Sequence, residues 1–156
     1  MAEANKPDPQ FIARQLRKPS GEAAAKIAEK MNQVNEPMYD LTLDTMQLRN
    51  HECILEIGFG SGKFYNKLFQ RAEGLEVYGI DYSQEMVDMA RANNEDLIKS
   101  GKLKIAKGSS DHLLFADNTF DKVYCNMVVF FWDQPEEHLK EVYRVLKPGG
   151  KFYTGI

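Results

Sequence analysis

The sequence predicts an α/β protein built on a doubly wound parallel sheet. Short apolar runs alternate with stretches of helical spacing, the connections between them are brief, and glycines cluster where the first run gives way to the first helix. Parallel strands joined by right-handed crossovers satisfy such an alternation. In sheets of this kind ligands bind at the carboxyl ends of the strands, near the point where the strand order reverses.

Each element has its own signal. Met1–Pro9 is polar with two prolines and reads as a loose tail, and residues 1–19 are taken together as tail. Ser20 is the expected cap of a helix in which Ala24, Ile27, Ala28 and Met31 recur at helical spacing. A second helix is expected over Pro37–Leu48, so residues 20–50 form a helical segment ahead of a core at 51–156. Cys53–Ile57 is apolar and stopped by glycines, hence a buried strand. Helix over Phe64–Arg71, strand over Leu75–Ile80 and helix over Ser83–Lys99, capped by Ser83, follow in turn. Leu103–Ala106 reads as an edge-like strand and Lys122–Val129 as a fourth strand. Glu136–Leu146 is a helix closed by Pro148-Gly149-Gly150, and Phe152–Ile156 a fifth strand.

Bulk properties narrow the partners. At 156 residues and 43% apolar composition, a single self-sufficient core is expected, without disulfides. Net charge of −3 gives no reason to expect nucleic acid or an anionic membrane surface. No long apolar segment stands in the chain, so neither a membrane span nor a signal peptide is expected, and a cytoplasmic location is the default. Cys53 and Cys125 lie in apolar strand runs and read as buried thiols. His51, His112 and His138 are scattered without ligand spacing, so no metal site is expected.

The chemistry concentrates in Gly58-Phe59-Gly60-Ser61-Gly62. Glycines accept φ > 0 and let a ligand approach the backbone. A dinucleotide fingerprint from Gly58 would need Gly or Ala where Lys63 stands; a phosphate-binding P-loop would need Gly at Ile57 and a hydroxyl residue at Phe64. What remains is G-x-G-x-G preceded by Glu56. Asp81 ends the second strand about 20 residues on, where a carboxylate can accept both ribose hydroxyls. That placement is shared with NAD-binding proteins, and an acid at a helix N-terminus is also favoured by the helix dipole alone.

Leu55–Gly62, with Gly79–Met86, Phe115–Asp121 and Glu141–Gly150 in the same order, resembles the class I S-adenosylmethionine-dependent methyltransferases of the small-molecule, type 11-like kind. The resemblance covers roughly Cys53 to Ile156. It implies a Rossmann-like sheet in the order 3-2-1-4-5 and S-adenosyl-L-methionine as cofactor. Glu56, Gly58, Phe59, Gly60 and Gly62 would hold the methionine portion, Asp81 the ribose, and Tyr82 would lie beside the adenine. Met86 would pack on the ring or serve the helix core. Ser109 stands where the family often has an acid that reads adenine, which leaves contact by Ser109, Ser110 or Asp111 open. Asn126 would line the methyl-transfer site. Phe131 and Trp132 would wall the acceptor pocket, or merely pack. His112 and His138 are available as bases, although a structural role is the plainer expectation.

The family's N-terminal helices lie over the cofactor, so residues 20–50 are a candidate lid with Tyr39 as a contact. Members also continue past the fifth strand with an antiparallel hairpin, which this chain lacks. Self-association through the open edge at residues 151–156 is therefore expected. The expected function is methyl transfer to a small-molecule acceptor. The alternatives are a cofactor-binding module without turnover and an NAD-dependent oxidoreductase, the latter disfavoured by Lys63.

Overall fold

Central strands buried on both faces need apolar side chains in unbroken runs, and that demand sorts the chain. In the computed structural model, which describes residues 8–18 and 20–156, five strands form one sheet. They are β1 (Cys53–Ile57), β2 (Glu76–Asp81), β3 (Leu103–Lys107), β4 (Phe120–Asn126) and β5 (Leu146–Gly155), all parallel, in the order β3-β2-β1-β4-β5. The predicted order is thus found. The order reverses between β1 and β4, whose tips therefore flank a crevice.

Six α-helices and, ahead of β1, a short 3-10 turn cover the sheet or precede it among the described residues. α1 (Pro9–Arg17), a short 3-10 turn (Gly21–Ala23) and α2 (Ala24–Met46) come before β1. α3 (Tyr65–Phe69) follows β1, α4 (Gln84–Asn93) and α5 (Glu95–Lys99) follow β2, and α6 (Pro135–Val145) leads into β5. Side chains alternate along β1: Ile54 joins Tyr39, Leu43, Tyr65, Val87 and Tyr124 on one face, while Leu55 and Ile57 join Phe120, Val123, Val142 and Val145 on the other. Glu56 shares the parity of Ile54, so it faces α2 and α3 from within the apolar layer.

Four departures from the expected elements have physical causes. Pro9–Arg17 is helical rather than tail: Asp8 caps it by accepting from Gln10 N at 3.1 Å, and Pro9 occupies the first turn, where a missing N–H costs nothing. Residues 1–7 lie outside the described residues. The two expected N-terminal helices are one, α2 running through Pro37. Burial of Tyr39, Leu43 and Met46, at about 1.5–3 kcal/mol each, outweighs the roughly 3 kcal/mol that an internal proline costs. Ser20 makes no cap; its hydroxyl accepts from Gln15 instead. The helix after β2 divides at Asn94, whose side-chain amide donates to the carbonyls of Ala90 at 2.8 Å and Gly62 at 2.9 Å.

The loop from β3 to β4 has no helix and is held from α6. Arg144 donates to the carbonyls of Leu113 and Phe115, to Asp117 and to Glu141, and Glu141 accepts from the Leu113 N–H at 2.7 Å. Arg144→Ala is expected to cost about 2–3 kcal/mol, since several hydrogen bonds to one charged group are lost. Urea unfolding measures it, and a loss below about 0.5 kcal/mol would remove this role.

Candidate functional site

The tips of β1, β2 and β4 and the loop after β3 open into a cleft of about 500 Å³. The glycine turn between β1 and α3 forms its floor. All three glycines have positive φ (74°, 60° and 67°), each for its own reason. At Gly58 a side chain would collide with Val128; at Gly62 it would meet Ala90 and Asn94, so α4 packs directly on the turn. Only Gly60 has open space beside it. Gly62 is outside the cleft lining, and α4 packs against it.

This gives a separable pair of outcomes. Gly62→Ala should cost about 2–4 kcal/mol of stability, from a strained φ and an overlap with Ala90. Gly60→Ala carries only the strain, about 1–2 kcal/mol, and should act on ligand affinity instead. Thermal melts beside a ligand titration tell them apart, and equal stability losses would contradict the assignment.

Two acids reach the cleft from adjacent strands. Asp81, at the tip of β2, accepts from Gly60 N and Ser83 N, both at 2.9 Å, so it braces the glycine turn and the start of α4 together. Burial pushes its carboxyl up to about 6, against the downward pull of those backbone donors. Glu56 Oε2 accepts from the hydroxyls of Tyr124 at 2.5 Å and Tyr39 at 3.1 Å, and these two tyrosines are themselves 2.7 Å apart. Tyr65, a third buried tyrosine beside this carboxylate, lays its hydroxyl over Gly79, where a side chain would obstruct it. Burial pushes Glu56 up to about 7, although the tyrosine donors pull it down, and burial likewise holds all three phenols protonated. Neither acid has a Lys or Arg as hydrogen-bond partner among the described residues.

Opposite these acids, Asn126 ends β4. Its Oδ1 lies 2.7 Å from the Thr42 hydroxyl of α2, while its buried Nδ2 has no partner among the described residues. The next residue, Met127, turns left-handed (φ 57°), which stops β4 three residues short of the expected end and starts a 3-10 turn over Val129–Phe131. Phe131 and Trp132 line the cleft from there, as do Tyr82, Ser109, Ser110 and Asp111. Met86 lines it too while packing on Ala24 and Ala28 of α2. His138 is on the cleft wall and His112 is not.

Several lining residues escaped the sequence. α1 contributes Leu16 and Arg17; Arg17 pairs with Asp133 at 3.3 Å, and Lys18 sits 4.7 Å from the Tyr82 ring centroid. α2 contributes Asn32, whose amide Nδ2 donates to Ser61 Oγ at 2.9 Å, beside Tyr39, which the sequence had named. The cue for Tyr39 and Tyr124 was a glutamate inside an apolar strand: such an acid needs buried donors. Cys53 and Cys125 are free thiols, with burial pushing both up to about 11. No helix among the described residues is long and apolar enough to cross a membrane.

Known proteins share this arrangement. A family model described as "Methyltransferase domain" matches residues 55–154. The ubiquinone/menaquinone biosynthesis C-methyltransferase UbiE of Haemophilus ducreyi is 33% identical over 112 residues, covering 70% of this chain and 43% of that protein. A Haloferax volcanii chain assigned as a methyltransferase, solved in complex with the Trm112 methyltransferase activator, superposes with a TM-score of 0.76 at 29% identity, over 85% of this chain and 57% of that one. Phosphoethanolamine N-methyltransferase 2 of Haemonchus contortus, solved with phosphomonomethylethanolamine and S-adenosylhomocysteine, gives 0.65 at 25% identity, over 74% of this chain and 27% of that one. This chain therefore spans about half or less of these proteins. With the sheet order, the glycine turn and the family model in agreement, the chain belongs to the methyltransferase domain family.

Proposed function

We propose that this chain binds S-adenosyl-L-methionine in the cleft and transfers its methyl group to a small-molecule acceptor. One observation carries the reading: two buried acids, Glu56 and Asp81, face a cleft beside an open glycine turn with no basic partner, which suits a cationic ligand bearing ribose hydroxyls. Glu56, Gly58, Phe59 and Gly60 would hold the methionine portion, Asp81 the ribose, and Tyr82, Met86 and Ser109–Asp111 the adenine. Asn126, on the cleft wall at the end of β4, would line the methyl-transfer site.

When bound, the cofactor supplies an electrophilic methyl on a sulfonium. The chain's own residues then place the acceptor and exclude water, with Phe131 and Trp132 as the apolar wall. Positioning of this sort contributes roughly 7–11 kcal/mol. Two free thiols agree with a reducing cytoplasm, and the open edge of β5 is available to a second copy or a further strand.

Calorimetric titration with S-adenosylhomocysteine and with NAD tests the reading. Binding of the first and not the second is expected; the reverse would establish the oxidoreductase instead. Lys63, where a dinucleotide turn needs a small residue, extends towards Glu29 at 3.6 Å. A second reading is a cofactor-binding module without turnover. Methyl transfer to any acceptor by this chain alone would exclude it.

A further inference from the structure

Glu56 is a buried acid set among phenols. Four elements put a titratable group near it: α2 brings Tyr39, α3 brings Tyr65, β2 brings Asp81 and β4 brings Tyr124. None of the four is basic. The hydroxyls of Tyr124 and Tyr39 converge on the same oxygen, Oε2, at 2.5 Å and 3.1 Å. The two rings meet edge to face, with centroids 6.0 Å apart and planes at 74°. Tyr124 is fully buried, and unlike Tyr39 and Glu56 it forms no part of the cleft wall.

An ionised carboxylate can only accept, so Tyr124 is the donor in the shorter bond. Tyr39 lies 2.7 Å from the Tyr124 hydroxyl as well as 3.1 Å from Oε2. Its proton supports the carboxylate by either route, directly or by polarising Tyr124. Burial disfavours the charged form of Glu56, and these donors favour it. With both donors removed the acid would hold its proton through neutrality, and the cleft would lose the charge of one of its two buried acids.

We propose that Tyr124 is a positioning residue for the cofactor: from behind the cleft wall, with Tyr39 as the second donor, it keeps the Glu56 carboxylate charged and fixed in place for the methionine portion. The proposal rests on the placement of that portion beside Glu56 given above. A tyrosine that merely fills the core would affect stability and leave the charge of Glu56 alone.

The test is carbon-13 NMR of the Glu56 carboxyl in the ligand-free chain, paired with calorimetric titration of S-adenosylhomocysteine from pH 6 to 8.5. Tyr124→Phe keeps the ring and removes the donor, and should raise the carboxyl midpoint by about one pH unit. Affinity should follow, with Kd about fivefold above the wild type at pH 7 and within about twofold of it at pH 8.5. Tyr39→Phe, which loses the longer bond, should shift both in the same direction by less. An unmoved midpoint in both variants would overturn the proposal. So would a midpoint that moves while the affinity relative to wild type stays flat across the pH range. Wild-type protein that titrates at Glu56 but binds no S-adenosylhomocysteine would overturn the cofactor reading, and this proposal with it.

Discussion

Asp81→Ala should weaken S-adenosylhomocysteine binding by about 1.5–3 kcal/mol, roughly a 10- to 150-fold rise in Kd, the worth of hydrogen bonds to a charged group. Asp81 already accepts from Gly60 and Ser83. A carboxylate has about four acceptor positions, so lone pairs remain for a ribose diol. The loss should also appear in the wild type on acidification, because a carboxyl held at about 6 starts to protonate just below neutrality. Titration across pH 5–8 measures both. Unchanged affinity in a variant that keeps its circular dichroism spectrum would remove Asp81 from the site.

The largest pH effect should come from Glu56. Its carboxyl is pushed up from 4.5 to about 7 by burial. The folded protein therefore holds this proton more tightly than the unfolded chain. The sign follows: the group's stabilising contribution is complete below about pH 4.5 and is lost as pH rises through 7, a change on the order of 3 kcal/mol. Glu56→Gln carries no charge at any pH. It should match the wild type near pH 5 and exceed it in stability near pH 8, while binding S-adenosylmethionine less well. Urea unfolding at the two pH values measures the first effect, and parallel pH profiles would refute it. A positively charged ligand should also expel the Glu56 proton between pH 6 and 7. Calorimetry in buffers of different ionisation enthalpy would detect that release, and Glu56→Gln should abolish it.

The sheet was legible because β1, β2 and β4 are buried on both faces and are therefore mostly apolar. Boundaries were less so. Met127 adopts a left-handed conformation that nothing in its side chain requests, and that single residue sets where β4 stops. The Asp8-Pro9 start of α1 was visible in principle, but α1 buries no residue, so no core-facing side marked it. The glycine turn looked like one device for one ligand. Packing against Val128 and Ala90, which come from distant segments, accounts for two of its three glycines, and distance along the chain hid that. The contacts of His138 were hidden for the same reason, since Trp132 and Ser110 meet it only after folding.

The two N-terminal helices are fastened unequally. α2 is tied through Tyr39 to Glu56 and Tyr124, through Thr42 to Asn126, and through Asp40 to Lys67, so it is the doorpost. α1 rests on the Arg17–Asp133 pair and on stacking of cations over Tyr82, contacts of about 0–1 kcal/mol apiece. Between them Gly21 sits at a φ of 69°, a joint few residues accept. α1 is therefore expected to open before α2, an order that hydrogen exchange of the two helices would read.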